Sequence, residues 1–204
     1  TVKSFQRRSL TLVRVQNFIS NEFVHELELE IDAERILQFY YTKGTPGQPF
    51  LSIHYIVDPY LTFLYNTLPG LSQHVSFFWT TTSKWWPPHI DMPSKIAMDR
   101  NCALNVPLKN CNHRTDTIFY DDPNDSVNTF THVPQNNIMI IGGQLVEKFR
   151  FNFTKPCVLN VQKPHAVLNK GSTDRLLMSW SISTMFDKTV ENYSKIRNVA
   201  YDKI

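Results

Sequence analysis

The chain reads as a mainly β protein, a jelly roll or barrel with helices packed in front of it. Three observations predict this. From about residue 74 the sequence breaks into short β-rich segments separated by turn signals. The last of these segments splits by parity into an apolar face and a face of arginine, serines and one leucine, the period of a strand. Before residue 74 the pattern is mixed, with helix-capping signals. The 204 residues, 42% apolar and 19% charged, suit one domain with a sizeable core, and no repeat or linker divides 1–204.

The N-terminal support, 1–73, opens with a predicted helix. Ser20 or Asn21 caps it, Glu22 lies in its first turn, and it runs through Phe23, Leu27 and Leu29. Lys43-Gly44-Thr45-Pro46-Gly47 is a loop. A second helix is expected from Asp58 to Leu68, with Pro59 at its first helical position, stopping at Pro69-Gly70. The core, 74–184, holds strands near Val75–Thr82, Ala103–Leu108, Thr117–Tyr120, Ile138–Ile141, Lys148–Phe153, Val158–Val161, Ala166–Asn169 and Leu176–Ser183. Gly142-Gly143 and Lys170-Gly171-Ser172 read as hairpin turns. The polar stretch from Asp121 to Asn137 is a lid or a plain solvated loop. In the C-terminal segment, 185–204, Asp187 to Ala200 is expected to close the fold as a helix.

Composition narrows the function. A net charge of +3 with no basic run denser than Gln6-Arg7-Arg8 gives nucleic acid no footprint. Cys102, Cys111 and Cys157, odd in number and widely spaced, argue against a disulfide framework and favour a reducing cytoplasm. Apolar runs such as Ile138–Ile141 are too short to span a bilayer. Neither a glycine-rich phosphate loop nor a Gly-x-Ser-x-Gly elbow is present.

The chemistry lies in a sparse constellation: His89, Asp91, His165 and Arg175. On a strand, side chains at i and i+2 share a face, so His89 and Asp91 point the same way about 7 Å apart at their backbones. His165 follows 74 residues after Asp91, room for the chain to return alongside. Two imidazoles and a carboxylate suit ferrous iron with open coordination positions. His-x-Asp alone arises easily by chance among seven histidines; the last strand adds weight. Leu176, Met178, Trp180 and Ile182 form its apolar face, while Arg175, Leu177, Ser179, Ser181 and Ser183 form the other. An arginine among small hydroxyls fits a strand lining a ligand cavity, where a guanidinium grips a carboxylate bidentately. The bland reading is an edge strand with a surface arginine.

His89-x-Asp91, His165 and Arg175 together resemble the iron(II)- and 2-oxoglutarate-dependent oxygenases with a double-stranded β-helix, the cupin-like jelly roll. The spacing from His165 to Arg175 is most similar to the prolyl-hydroxylase and aspartyl/asparaginyl-hydroxylase branches, and the likeness covers roughly residues 75–184. It implies iron held by His89, Asp91 and His165, and 2-oxoglutarate paired through Arg175, with oxygen consumed and ascorbate a possible auxiliary. It further implies that Asn105 and Ser179 line the co-substrate pocket, with Tyr120 a weaker candidate. Trp85, Trp86 and Arg100 become candidates for the substrate wall. The implied reaction hydroxylates an unactivated C–H and converts 2-oxoglutarate to succinate and carbon dioxide. Asp91 occupies the position a halide would need, which disfavours halogenation. A glycine-containing stretch usual in the family is replaced by the polar loop 121–137, so the branch stays open.

Two other readings stand beside this one: a cupin-like metalloprotein without 2-oxoglutarate, which leaves Arg175 no task, and a non-catalytic jelly-roll binding module. Cys102, Cys111 and His113 lack the fourth ligand of a structural zinc site. Trp79, Trp85 and Trp86 with Phe77 and Phe78 form core or an aromatic platform. The expected substrate is a peptide or small molecule, and oligomeric state has no readable signal.

Overall fold

The computed structural model describes residues 19–44, 48–92, 100–112, 114–124, 126–134 and 138–196. Within them two six-stranded antiparallel sheets lie face to face. Sheet A has the order β1-β10-β5-β12-β3-β2 and sheet B the order β7-β8-β4-β11-β6-β9. In chain order the strands are β1 (Val24–Glu26), β2 (Phe50–His54), β3 (Leu71–Thr80), β4 (Trp85–Asp91), β5 (Cys102–Lys109) and β6 (Thr115–Tyr120). They continue as β7 (Asn128–Val133), β8 (Ile138–Gly143), β9 (Glu147–Asn152), β10 (Cys157–Leu159), β11 (His165–Asn169) and β12 (Arg175–Ile182). Helices α1 (Ala33–Lys43), α2 (Pro59–Thr67) and α3 (Phe186–Tyr193) complete the fold. No helix among the described residues is long and apolar enough to cross a membrane.

Side-chain parity explains the layering. The outward faces of β3, β5 and β12 present Val75, Phe77, Trp79, Leu104, Val106, Met178 and Trp180 to Ile36, Tyr40, Leu61, Leu64, Phe186 and Tyr193 of the three helices. Between the sheets, Phe23, Ala103, Cys157 and Leu159 meet Phe119, Phe151 and Phe153. Each buried phenylalanine there contributes roughly 1.5–3 kcal/mol. This aromatic layer packs between the sheets, with Phe119 beside the His165 ring.

All eight expected strands form, and α2 starts as expected, with Asp58 Oδ1 accepting from Tyr60 N and Leu61 N at 2.9 Å each. The first expected helix does not form. Asn21 Oδ1 accepts from Phe23 N and Val24 N as a cap would, but the chain turns and enters β1 against β10. Burial of Leu27 and Leu29 with Glu28 and Glu30 exposed follows a period of two, which a strand satisfies and a helix does not. The first helix is instead α1, capped by Asp32.

Three further expectations are corrected. Gly142 and Gly143 are no hairpin turn: they end β8 opposite Thr129 and Asn128 of β7. Gly143 has φ +105, and a Cβ there would sit 2.6 Å from Val127 O. Lys170-Gly171-Ser172 joins β11 of one sheet to β12 of the other, so it is a crossover and not a hairpin. The stretch 121–137 contains β7, an edge strand, and residues 125 and 135–137 within it lie outside the described residues. At the end of the chain α3 covers Phe186–Tyr193; residues 194–196 leave the helix in a turn, so the expected helix stops short there, and its remainder, 197–200, lies outside the described residues.

Candidate metal centre

His89 and Asp91 stand on β4, and His165 opens β11 directly opposite His89. The imidazole centroids are 4.3 Å apart, and His89 Nε2 lies 3.5 Å from Asp91 Oδ1. One ligand atom from each of the three residues falls within 4.8 Å of the other two. All three side chains are buried in the inter-sheet space, where Phe119 packs 5.8 Å from the His165 ring.

The ring nitrogens are assigned by their partners. His89 Nδ1 donates to Pro87 O at 2.7 Å and His165 Nδ1 to Lys163 O at 3.0 Å. Both Nε2 lone pairs are therefore left for a metal, the usual way an outer hydrogen bond fixes a ligating tautomer. Burial, then the neighbouring His89, pushes the His165 pKa down to about 4, so it stays neutral and able to ligate. Burial pushes the Asp91 carboxyl up, but Arg100, His165 and His89 together outweigh it and hold it below the usual carboxylate range. Two imidazole nitrogens and one carboxylate oxygen form a ligand set that suits ferrous iron and is one ligand short of a structural zinc site.

The approach to His89 contains a bulge. From His165 to Val167 β11 advances two residues, while β4 moves three between their partners His89 and Trp86. The extra residue falls at Pro87-Pro88, where a strand tolerates missing N–H donors. Cross-strand partners share a face, so Trp86 shares the face of His89 and Trp85 does not. Trp85 is 55% exposed.

Arg175 is 2% exposed, with its guanidinium carbon 5.1 Å from the centre of the Phe153 ring. Its Nε and Nη2 find no hydrogen-bond partner among the described residues, nor do Thr117 Oγ1 and Asn105 Oδ1. A buried charge left unpaired is costly, and an inbound carboxylate relieves that cost. Ser179 pairs with Asn105 across β12 and β5, placing both on the inner face. The start of β12 is held by Asn169, wholly buried. Its Nδ2 donates to Thr80 O, Thr81 O and Thr173 O, and its Oδ1 accepts from Gly171 N.

Other expected site residues sit elsewhere. Tyr120 follows Phe119 on β6 and turns to the opposite side, beside Glu147 and Arg150. Arg100 is not left free for a substrate: it donates to Asp91, Ser179 and Ser181. Trp79 and Phe77 are core. Cys102 faces the helices, while Cys111 packs against the inter-sheet cluster, and His113 lies outside the described residues. Sequence reasoning missed Thr117 and Gln162. Thr117 is readable only as the residue two before Phe119, and Gln162 has no sequence signal.

No protein-family profile matches the chain, and no curated protein matches it. Similar solved structures include a prolyl-4-hydroxylase from Pseudomonas putida, 15% identical over 79% of this chain and 91% of that one, with a TM-score of 0.43. Apo HygX from Streptomyces hygroscopicus is 11% identical over 80% of this chain and 81% of that one, TM-score 0.44. The vicilin of hazelnut, Corylus avellana, is 12% identical over 80% of this chain, TM-score 0.35; the chain spans 31% of that vicilin's length.

Proposed function

We propose that the chain is an iron(II)- and 2-oxoglutarate-dependent oxygenase that hydroxylates an unactivated C–H of a peptide or small molecule, releasing succinate and carbon dioxide. One observation carries this reading. The aromatic cluster that packs against His165 of the clustered His89, Asp91 and His165 through Phe119 also holds Phe153, over which lies a buried arginine, Arg175, with two unpartnered nitrogens.

His89, Asp91 and His165 would hold the iron by one face. Bound there with oxygen and 2-oxoglutarate, the iron supplies the oxidising power for C–H hydroxylation. The protein's part is positioning. Arg175 pairs with the distal carboxylate of the co-substrate, and Thr117 adds a hydroxyl donor from the opposite sheet. Asn105 and Ser179 line the same face, and the Asn105 amide can present either its oxygen or its nitrogen. Phe119 and Phe153 keep water from the buried polar groups. Trp86 is the aromatic best placed to meet a substrate. A cupin-like metalloprotein without 2-oxoglutarate is the weaker reading, because it leaves Arg175 buried and unpaired.

The test is succinate release with ferrous iron, ascorbate and 2-oxoglutarate, comparing wild type with His165→Ala and Arg175→Ala. Turnover in wild type, lowered at least tenfold in both variants, supports the reading. Equal turnover in all three rejects it.

A further inference from the structure

We propose that Arg100 is a positioning residue for the metal carboxylate, strapping one oxygen of Asp91 to the last strand so that Asp91 meets the ion through the other oxygen alone. This rests on the metal site proposed above. Arg100 Nε donates to Asp91 Oδ2 at 2.7 Å, Nη1 to Ser181 Oγ at 2.8 Å and Nη2 to Ser179 Oγ at 3.1 Å. The other carboxylate oxygen, Oδ1, is the one that faces His89 Nε2. Oδ2 is thus occupied by a charged donor, and Oδ1 is left for metal.

The strap itself is anchored. Gln162 Nε2 donates to the main-chain oxygens of both Asp91 and Arg100, at 3.3 and 2.6 Å. The Arg100 side chain is 14% exposed and that of Asp91 11%, so little water competes for the pair. Ser179 and Ser181 belong to β12, the strand that begins with Arg175. The guanidinium therefore couples the carboxylate of sheet B to the strand of sheet A that carries the carboxylate-binding arginine. A chelating Asp91 would take a second coordination position, one that the co-substrate or oxygen requires. Lysine offers a point charge on a flexible stem and cannot span all three acceptors.

The experiment uses the full chain, stripped of metal and titrated with cobalt(II), reading affinity by calorimetry and ligand geometry by visible absorption. Wild type is compared with Arg100→Ala, Arg100→Lys, the Ser179→Ala/Ser181→Ala pair and His165→Ala. Loss of an outer-shell partner weakens metal binding by about 10–100-fold, and that is expected for Arg100→Ala, together with an altered cobalt spectrum. Arg100→Lys should fall between it and wild type. The serine pair, which leaves Asp91 and Arg100 in place, should shift affinity in the same direction by less. Folded Arg100 or serine variants with wild-type cobalt affinity and spectrum overturn the proposal, even if their melting temperatures drop. His165→Ala separates the two levels: cobalt bound there as in wild type defeats the metal site itself. Cobalt lost in His165→Ala but unchanged in Arg100→Ala and in the serine pair defeats only the strap.

Discussion

His89 and His165 are direct partners across the β4–β11 ladder, each with Nδ1 committed to a carbonyl two residues before it. The arrangement fixes both Nε2 lone pairs toward one point and leaves the metal-free protein sensitive to acid. Burial and the facing His89 take the His165 pKa from 6.5 down to about 4. The unfolded chain binds this proton as pH falls below 6.5, whereas the folded chain resists until about 4. Stability is therefore complete above that window and is lost as pH falls through it. His25 and His74 are lowered too and act in the same direction. The difference between wild type and His165→Gln isolates one residue: in thermal melts of the metal-free proteins, wild type should lose stability relative to the variant as pH drops from 6.5 to about 4. Parallel melting curves across that range count against the assignment.

Arg175 yields a prediction with opposite signs for stability and ligand binding. Its Nε and Nη2 are buried without partners among the described residues, so the empty site carries a desolvation cost. Arg175→Met keeps much of the volume and removes the charge. The ligand-free variant should gain about 1–3 kcal/mol of stability, the cost of a buried unsatisfied group. On the proposed function 2-oxoglutarate should raise the melting temperature of wild type, and the variant should lose that rise. A variant both less stable and still shifted by 2-oxoglutarate would show that the guanidinium serves packing alone.

Much of this was legible because the core strands announce themselves locally. On β12 the apolar residues Leu176, Met178, Trp180 and Ile182 do face the helices, and Ser179 and Ser181 do face inward. β1 is harder, since an Asn21 cap opens a helix or a turn equally well, and Val24–Glu26 are buried at every position and show no alternation of their own. β7 is polar because it is an edge strand with most of its residues exposed; composition alone makes it a loop. Thr117 becomes informative only through topology, which sets β6 on the sheet facing β5 and β12, and Arg100, expected at the substrate wall, reveals its bond to Asp91 only in the folded site. Parity within β4 fails at Pro87-Pro88, because a bulge is defined by the partner strand.

That bulge separates two adjacent tryptophans. Trp86 pairs with Val167 on the face of His89, whereas Trp85 pairs with Leu168 on the other face and is 55% exposed. Trp85→Phe should change stability by no more than about 0.5 kcal/mol, as surface substitutions usually do, and leave cobalt-induced fluorescence quenching intact. Trp86→Phe should remove most of that quenching. Quenching lost in Trp85→Phe and retained in Trp86→Phe would reverse the face assignment.

Asn169 ties the metal strand to the arginine strand without touching either ligand set. Its Nδ2 donates to three carbonyls, those of Thr80, Thr81 and Thr173, and its Oδ1 accepts from Gly171 N. These bonds close the crossover just before Asp174, which itself holds Trp79 Nε1 and Thr82 N. Asn169→Asp keeps the acceptor but loses the donors to three carbonyls, so it should destabilise by roughly 2–4 kcal/mol. Loosening the crossover also frees Arg175, which follows six residues later. The expected signature at a temperature where the variant remains folded is a weakened response to 2-oxoglutarate with cobalt affinity kept, because His165 sits at the far end of β11. If cobalt affinity falls in step with the 2-oxoglutarate response, Asn169 supports the whole sandwich and has no particular link to Arg175.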